Sequence, residues 1–242
     1  MQSFKQQFSQ LTDKLLKRSQ SASPMEISQS DDEAMVQIMQ QRLQATSNCI
    51  DVGCHSGGFL TEILQLAPQG QHYAFEPIPS LADLLKTQFP QVNVQAAALS
   101  DTNGETTFHH VVSNPGYSGL RERRYDRPNE QIELIPVTTL RLDDFLPADY
   151  HLDLIKIDVE GAEWQVFQGA VETLKRNRPI VLFEHGQGGS DRYGTTPEMI
   201  HNFLVGECGL TIATLHDPHP LTAAELRQVY DSGTAWNFVA YP

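Results

Sequence analysis

Apolar side chains in the first part of the chain recur every three or four residues, a spacing typical of amphipathic helices. One such stripe runs from Phe4 to Leu16. A second helix is predicted to start at Ser30, whose hydroxyl can cap it while Glu33 completes a capping box. The Ser/Gln-rich segment 19–30 between them is predicted to be a linker. The first helix has little positive charge on its polar face, so packing on the main domain or on a second subunit, as in a homo-oligomer, is favoured over a membrane surface.

From residue 49 the pattern changes to short apolar runs separated by helical stretches. The runs typical of strands cover residues 49–54, 72–76, 92–96, 153–159, 179–185, 210–215 and 235–241. Helices are predicted near residues 57–66, 79–88, 162–176 and 197–206. This alternation predicts a parallel sheet that is covered on both faces. A short connection without a helix is predicted between the last two strands, which are therefore expected to pair as an antiparallel hairpin.

Residues 104–137 interrupt this alternation with a pattern typical of two antiparallel strands. Between these strands lie an Asn-Pro-Gly turn and an Arg-rich loop, Arg121 to Arg127. The arginines of the loop can clamp a phosphate or carboxylate of a substrate, or they can pair with Glu122 and Asp126 in a solvated loop. The intervening acids favour the second interpretation.

The predicted organisation is a helical extension over residues 1–48 and a main domain over residues 49–242, with an antiparallel insertion at 104–137. The chain has 242 residues and a formal charge of −13, from 17 basic and 30 acidic side chains. Basic and acidic residues balance in the extension, so the excess negative charge lies in the main domain. This charge excludes a typical nucleic-acid binder and disfavours anionic membrane surfaces, whereas a neutral or cationic ligand suits it.

Signals for disulfides, metals and targeting are few. The three cysteines, Cys49, Cys54 and Cys208, form no C-x-x-C pair, so neither a disulfide framework nor a zinc site is predicted. No apolar run approaches the ~18 residues of a membrane helix, and the N-terminus lacks the apolar segment of a secretory signal. The sequence therefore predicts a cytoplasmic protein with no membrane span.

The first strand of the main domain ends in a glycine-rich turn, D-V-G-C-H-S-G-G (51–58), that leads directly into a helix. Glycines at such a turn let the backbone approach a ligand, although tight turns of this kind also occur without one. Glu76 ends the second strand at the same edge of the sheet, where its carboxylate can accept hydrogen bonds from both ribose hydroxyls of an adenosine. Together these features predict a nucleoside cofactor.

His55 helps to decide which cofactor is bound. A dinucleotide fingerprint, G-x-G-x-x-G, requires glycine at this position so that a pyrophosphate can reach the backbone. No Walker-type G-K-[ST] follows the turn either. S-adenosylmethionine contains no phosphate, so it tolerates a side chain here, and its cationic groups suit acids such as Asp51. The sequence therefore favours S-adenosylmethionine over a nicotinamide dinucleotide.

Six segments of the main domain follow one another in a distinctive order: IDVGCHSGGF (50–59), FEPIP (75–79), AALSDTNGETTF (97–108), LDDFL (142–146), DLIKIDVEGAEWQVFQGA (153–170) and PIVLFEH (179–185). In this order they resemble the motifs of FkbM-type methyltransferases. The resemblance implies a class I, Rossmann-like α/β fold with strand order 3-2-1-4-5-7-6 and an antiparallel last strand. It also implies S-adenosylmethionine-dependent methylation of a hydroxyl. The family's first motif usually reads D-V-G-A-N-x-G, so Cys54 and His55 depart from it near the methionine contact.

The resemblance further implies which residues surround the cofactor. The first turn would shape the methionine end, Glu76 would bind the ribose, and the turn after the third strand would meet the adenine. The implied set is Asp51, Gly53, Cys54, His55, Gly57, Glu76, Pro77, Ala98, Leu99 and Asp158. Asp158, at the end of the fourth strand, would lie beside Gly53.

Methyl transfer is an in-line displacement that also needs an acceptor for the substrate's proton. Asp158, Glu184 and His185 are predicted to be catalytic, with Asp158 contacting the substrate or the sulfonium and His185 acting as the base. Glu160 and Glu163 are further candidate bases. Alternatively, Glu160 caps or pairs with the next helix and His185 is an ordinary loop histidine. A divalent metal held by Asp158, Glu184 and His185 is a second alternative, but a mechanism without a metal is predicted.

The predicted function is methylation of a hydroxyl on a small molecule, sugar or other glycan, or secondary metabolite. Two other classes stay open. One is a nicotinamide-dependent oxidoreductase, which His55 disfavours, and the other is a non-catalytic adenosyl-ligand-binding protein of the same fold. No motif identifies the acceptor, because in such folds insertions and N-terminal elements hold it.

Overall fold

A computed structural model describes residues 24–125, 127 and 129–242 of the protein. The strands in this part of the chain are β1 (Cys49–Val52), β2 (Tyr73–Phe75), β3 (Asn93–Gln95), β4 (Ala97–Leu99), β5 (Gly104–Val111), β6 (Ile132–Leu140), β7 (Leu154–Ile157), β8 (Ile180–Glu184), β9 (Thr211–Thr214) and β10 (Asn237–Tyr241). The α-helices are α1 (Pro24–Arg42), α2 (Gly58–Leu66), α3 (Pro79–Gln88), α4 (Leu142–Phe145), α5 (Glu163–Gln168), α6 (Val171–Asn177), α7 (Pro197–His201) and α8 (Ala223–Ser232). Short 3-10 turns cover Pro115–Tyr117 and Ser190–Tyr193, and a π-helical turn covers Asn202–Glu207. None of the described helices is long and apolar enough to cross a membrane.

The N-terminal extension differs from its prediction. The first predicted helix, from Phe4 to Leu16, lies outside the described residues. The second helix, α1, already begins at Pro24, so Ser30 and Glu33 lie within it and the predicted capping box is wrong. Proline suits the first turn of a helix because its missing N–H would have no partner there. The helix therefore includes part of the segment that was predicted to be a linker.

Seven strands form one mixed sheet in the order β3-β2-β1-β7-β8-β10-β9. All neighbours in the sheet are parallel except β10, which runs antiparallel to both β8 and β9. Counted among these seven strands alone, the order is 3-2-1-4-5-7-6, so the predicted class I α/β fold is confirmed. The carboxyl ends of β1, β2 and β7 lie side by side where the strand order reverses, which is where ligands bind in such sheets.

The connection between β9 and β10 is longer than predicted. It contains α8, whose first turn is fixed by a capping box between Thr222 and Glu225. The predicted antiparallel pairing of β9 with β10 is confirmed, but the predicted reason for it, a short connection, is wrong. β10 lies between β8 and β9 and runs antiparallel to both of them.

Two of the predicted helices are subdivided. The helix predicted over 162–176 forms α5 and α6, which separate at Gly169. A Cβ at Gly169 would lie 2.0 Å from the carbonyl oxygen of Ser100, so the chain bends where a glycine lets two backbones meet. The helix predicted over 197–206 begins after its cap, Thr196, as expected, and then widens into the π-helical turn.

The insertion forms a second sheet in the order β4-β6-β5. β5 and β6 pair antiparallel along the whole of β5, and β4 joins β6 in parallel. Ala98 and Leu99, which were expected in a turn at 98–101 after the third strand, therefore lie in a strand. Phe108 of β5 and Val137 of β6 pack on Ile78, which follows β2. The small sheet thus lies against the carboxyl end of β2.

The main sheet is buried on both faces, as its near-continuous apolar strands require. Successive side chains of β1 point to opposite faces. Ile50 packs in the cluster beneath α5 to α8, whereas Cys49 packs with Met35 and Met39 of α1. Asp51 points to the same face as Cys49 and is a fully buried carboxylate in an apolar layer. This exception marks the position of the site.

Candidate active site

A cleft of about 390 Å³ opens at the carboxyl ends of β1, β2 and β7. It is lined by most of the residues that the sequence predicts around a cofactor: Gly53, Cys54, His55, Glu76, Pro77, Ala98, Leu99 and Asp158. Asp51 and Gly57 do not line it, and neither do Glu184 and His185. Another wall comes from the small sheet and from the turn Pro115–Tyr117.

Glu76 lies at the carboxyl end of β2 and is 4% exposed. Two backbone amides hold its carboxylate: the N–H of His55 donates to Oε2 and the N–H of Ile78 donates to Oε1, each at 2.9 Å. His55 is exposed and has a left-handed φ of +46°. Burial raises the pKa of Glu76 to about 7, although the two hydrogen bonds oppose this shift. Each oxygen retains a second lone pair, so the fixed carboxylate of Glu76 can accept two further hydrogen bonds.

The β1–α2 turn contains two glycines in the left-handed region, Gly53 (φ +76°) and Gly57 (φ +80°). A Cβ at Gly53 would lie 1.9 Å from the carbonyl oxygen of Asp158, and a Cβ at Gly57 would lie 2.4 Å from the ring of Phe89. Protein packing therefore requires both glycines, whereas the sequence interpretation assigned them to the approach of a ligand. The close contact at Gly53 keeps the ends of β1 and β7 together and brings Asp158 beside the turn.

Lys156 lines the cleft, and it was not identified as a site residue from the sequence. It is opposite Asp51 in the β1–β7 register, and its Nζ lies 3.7 Å from Asp51 Oδ1 and 3.3 Å from Asp158 Oδ2. Burial disfavours its charge, but the two carboxylates prevail and raise the pKa of Lys156. Burial also raises the pKa of Asp51, which has no hydrogen-bond partner among the described residues. The sequence feature that could have identified Lys156 is its place inside an apolar strand, L-I-K-I, because lysine is rarely buried unless it is paired.

Glu163 holds the turn between β7 and α5. Its carboxylate is 1% exposed and accepts hydrogen bonds from the N–H groups of Val159 and Gly161, each at 3.1 Å. Glu160 has a left-handed φ of +58°, an uncommon conformation for a residue with a side chain. The turn thereby brings Asp158 and Glu160 to the surface of the cleft. Glu163, a candidate base in the sequence, is instead placed to shape this turn.

Three carboxylates converge beside the cleft. Oxygens of Asp158, Glu160 and Glu184 lie within 4.8 Å of one another. Burial and the neighbouring Asp158 raise the pKa of Glu184, so its protonated form can donate a hydrogen bond to Asp158 near neutral pH. Glu160 forms an ion pair with Arg123, which reaches the site from the insertion. Glu160 therefore pairs with the insertion and does not cap the next helix.

His185 does not face the cleft. It is fully buried, its ring stacks on Tyr230 with centroids 4.9 Å apart, and neither ring nitrogen has a hydrogen-bond partner among the described residues. Burial lowers the pKa of His185 to about 4. Because successive residues of an extended chain point to opposite faces, a chain that turns Glu184 toward Asp158 turns His185 away. The structure thus places His185 outside the cleft, and the cluster of metal-ligand type among the described residues contains Glu160 in place of His185.

The Arg-rich loop is tied to the rest of the domain. The Arg123 guanidinium lies over the ring of Tyr117, 4.8 Å from its centroid. Arg121 lies over the ring of Tyr193 at 5.0 Å and donates a hydrogen bond to the carbonyl oxygen of Arg192. The favoured sequence interpretation, a solvated loop paired within itself, does not describe these two arginines. Arg123 instead contacts Tyr117 and Glu160, which line the cleft.

The N-terminal extension and the insertion, the parts of the chain that were expected to hold the acceptor, also line the cleft through residues that were not singled out in the sequence. Asp32 reaches it from α1, and Tyr117 and Leu120 reach it from the insertion. No motif marks these residues, since their place depends on how distant segments pack.

The Methyltransferase FkbM domain model matches residues 51–210, which is more than half of this chain. The chain belongs to the FkbM methyltransferase family. The family that the motifs suggested is therefore confirmed. The matched segment begins in β1 and ends just before β9, so it contains the β1, β2 and β7 ends of the cleft but not α1.

Relatives of this FkbM-family protein include the 2-O-methyltransferase NoeI of Sinorhizobium fredii, which is 32% identical over 152 residues, 54% of this chain and 60% of NoeI. Methyltransferase sdnD of Sordaria araneosa is 27% identical over 170 residues, 56% of this chain and 66% of sdnD. The solved structure of methyltransferase FkbM from Methylobacillus flagellatus KT matches with a TM-score of 0.54 and 13% identity, over 83% of this chain and 44% of that chain. This last likeness supports the fold alone. The chain thus spans less than two thirds of the length of each of these relatives.

Proposed function

We propose that this FkbM-family protein is an S-adenosylmethionine-dependent methyltransferase that methylates a hydroxyl of a small molecule or glycan. The observation that carries the proposal is the buried carboxylate of Glu76, which two backbone amides fix at the cleft with acceptor capacity remaining. A ribose offers the matching pair of hydroxyl donors. The cleft, at about 390 Å³, falls within the usual range of ligand pockets.

The surroundings of Glu76 fit the other parts of this cofactor. Ala98, Leu99 and Phe108 form an apolar wall on the side of the small sheet that suits an adenine. Gly53 and Asp158 lie on the other side, where acidic groups suit an ammonium and a sulfonium. When bound, S-adenosylmethionine supplies an electrophilic methyl group.

Methylation of a hydroxyl requires an acceptor for its proton, and Asp158 fits this role better than the buried His185. The Asp158 side chain is 41% exposed at the cleft, and Lys156 holds its Oδ2 at 3.3 Å. The raised pKa of Glu184 lets it donate a hydrogen bond to the Asp158 carboxylate. A carboxylate is a weak base, so we expect most of the rate to come from alignment of the hydroxyl with the methyl group.

Two observations support a hydroxyl acceptor. The related protein NoeI carries the name 2-O-methyltransferase. Beyond Asp158, the border of the cleft is polar: Tyr117 and Glu160 line it, and Arg123 contacts both of them. This border offers hydrogen-bond donors and acceptors to a molecule with several hydroxyls, such as a sugar.

Calorimetric titration with S-adenosylmethionine, S-adenosylhomocysteine and NAD tests the cofactor assignment. We expect micromolar binding of the two adenosyl ligands and no binding of NAD, because the His55 side chain stands where a dinucleotide fingerprint needs glycine. Glu76→Ala should weaken adenosyl-ligand binding about 30- to 100-fold, since two hydrogen bonds to a buried carboxylate contribute about 2–3 kcal/mol. Glu105→Ala, which changes an exposed glutamate of β5, serves as the control. Unchanged affinity in Glu76→Ala would contradict the ribose assignment.

Turnover separates an enzyme from a non-catalytic binding protein. The protein is incubated with methyl-labelled S-adenosylmethionine and a panel of sugars and other hydroxyl compounds, and label transfer is measured. Asp158→Asn should lower kcat about 10²- to 10⁴-fold if Asp158 takes the proton. Tight cofactor binding without transfer to any hydroxyl would favour the non-catalytic alternative.

A further inference from the structure

We propose that Asp32, on the N-terminal helix α1, binds the ammonium group of the cofactor's amino-acid moiety. The inference rests on the proposed function and adds a contact from outside residues 51–210, which match the FkbM family. Asp32 lines the cleft together with Gly53, Phe59 and Lys156. A residue of the helical extension thus reaches the same cleft as the glycine-rich turn.

The position of Asp32 along the cleft indicates which part of the cofactor it faces. Glu76 follows β2 and Asp158 follows β7, with β1 between these strands. At the usual spacing of neighbouring strands the two ends are about 10 Å apart. Asp32 interacts electrostatically with Lys156 and Asp158, so it lies at the β7 end. With the ribose at Glu76 and the adenine toward the small sheet, this end is left for the amino-acid moiety.

The residue before Asp32 fixes the orientation of α1. Asp31 is 5% exposed, accepts a hydrogen bond from Asn237 Nδ2 at 2.8 Å, and pairs with His216 Nε2 at 2.8 Å. Met39, further along α1, packs in the core against the sheet. Adjacent residues of a helix point about 100° apart. Fastening Asp31 to the start of β10 therefore leaves Asp32 free to point into the cleft.

The charges near Asp32 suit a cationic group. Asp51, Asp158 and Asp32 lie around Lys156, so acidic groups outnumber basic ones at this end of the cleft among the described residues. Burial raises the pKa of Asp32, Lys156 lowers it, and the neighbouring Asp158 raises it again. An ammonium group would offset this excess of negative charge and donate hydrogen bonds to the Asp32 carboxylate.

Calorimetry with three ligands on the full chain tests this contact. S-adenosylmethionine and S-adenosylhomocysteine both carry the ammonium, whereas 5′-methylthioadenosine lacks the whole amino-acid moiety. Asp32→Asn should weaken the binding of S-adenosylmethionine and of S-adenosylhomocysteine about 10-fold each and leave the binding of 5′-methylthioadenosine unchanged. Glu33→Gln removes the same charge from an exposed neighbour on α1 and should leave the affinity for all three ligands unchanged. Asp32→Glu keeps a carboxylate and should retain most of the affinity, and Asp32→Ser is a second charge-removing variant with the same expectation as Asp32→Asn.

The outcomes are distinguishable. Equal affinity of the wild-type protein and Asp32→Asn for S-adenosylmethionine would overturn the inference. A loss that extends to 5′-methylthioadenosine would also overturn it, because the substitution would then act on the shape of the cleft. A loss confined to S-adenosylmethionine would assign Asp32 to the sulfonium and not to the ammonium. If the wild-type protein binds neither adenosyl ligand, the proposed function itself fails and this contact fails with it.

Discussion

Glu76 combines burial with two backbone hydrogen bonds, so the proposed ribose contact would couple its ionisation to ligand binding. Burial raises its pKa to about 7 in the free protein. In the proposed complex, ribose hydroxyls would donate to the ionised form, so binding would lower the pKa of Glu76 and release a proton. We therefore expect the affinity for 5′-methylthioadenosine, which contains the ribose but no titrating amino acid, to fall about 10-fold between pH 8 and pH 6.

Calorimetry at the two pH values measures this effect. Glu76→Gln cannot ionise, so it should bind more weakly than the wild-type protein at pH 8 and with little dependence on pH. A wild-type affinity that stays constant from pH 8 to pH 6 would show that Glu76 is already ionised before the ligand arrives.

His185 gives the fold a pH dependence that is separate from the cleft. Burial lowers its pKa to about 4 in the folded protein, against about 6.5 in an unfolded chain. Protonation therefore favours the unfolded chain as the pH falls from 6.5 toward 4, and this contribution is absent above pH 6.5. His185→Phe keeps a ring against Tyr230. Between pH 7.5 and pH 5 the variant should lose about 2 kcal/mol less stability than the wild-type protein.

Urea unfolding of both proteins at pH 7.5 and pH 5 gives this difference directly. Other buried acids contribute equally to the two proteins, so they cancel in the comparison. Parallel pH dependences would mean that His185 is protonated as easily in the folded protein as in the unfolded chain.

At the scale of the elements, the ends of β7 and β8 bring together Asp158, Glu160 and Glu184, whose oxygens are ligands of the type that Mg²⁺ accepts. We nevertheless expect methyl transfer to persist after treatment with EDTA. Arg123 pairs with Glu160, and the raised pKa of Glu184 favours its protonated form. Two of the three carboxylates are then poorly available to a metal ion, and Lys156 holds the third, Asp158. Turnover of an identified acceptor before and after chelation tests this expectation, and a loss that Mg²⁺ restores would contradict it.

The positions of the main strands could be predicted from the sequence because each strand is a short apolar run bounded by turn residues, whereas their order in the sheet was implied by the resemblance to FkbM-type methyltransferases. The pattern of apolar residues was not sufficient where a polar side chain is buried. Lys156 stands inside an apolar strand and became visible as part of the site only once Asp51 was opposite it in register. His185 follows Glu184 directly, and strand alternation predicts that the two side chains point to opposite faces but not that Glu184 is the one that faces the carboxylate cluster while His185 faces Tyr230.

Long-range packing set the other limits of prediction. Gly53 was recognised as a residue of the turn, but the atom that its Cβ would meet belongs to Asp158, far along the chain. Asp32 reaches the cleft only because α1 packs on a sheet that is built from later residues. The helix α8 was different, because its capping box, Thr222 and Glu225, is a local signal that the sequence analysis overlooked.

At the scale of the whole molecule, α1 is joined to a strand 206 residues away through the hydrogen bond between Asp31 and Asn237. Asp31→Ala should lower the free energy of unfolding by about 1–3 kcal/mol, because it leaves the Asn237 amide without its acceptor and removes the pairing with His216. Glu33→Ala, at an exposed position of the same helix, should stay within about 0.5 kcal/mol of the wild-type protein. Urea unfolding at pH 7 compares the three proteins. Equal effects of the two substitutions would mean that apolar contacts alone hold α1.

The place of β10 in the sheet has a consequence for synthesis of the chain. β10 stands between β8 and β9 although it follows both of them in the sequence. During synthesis on the ribosome, β1, β2, β3, β7 and β8 can therefore assemble first. β9 then emerges before the strand that it pairs with, β10. It keeps unpaired backbone groups on both edges until Asn237–Tyr241 leave the exit tunnel, and such edges invite wrong pairing or capture by a chaperone. The β9 side of the sheet is thus the last part of the nascent protein to become protected.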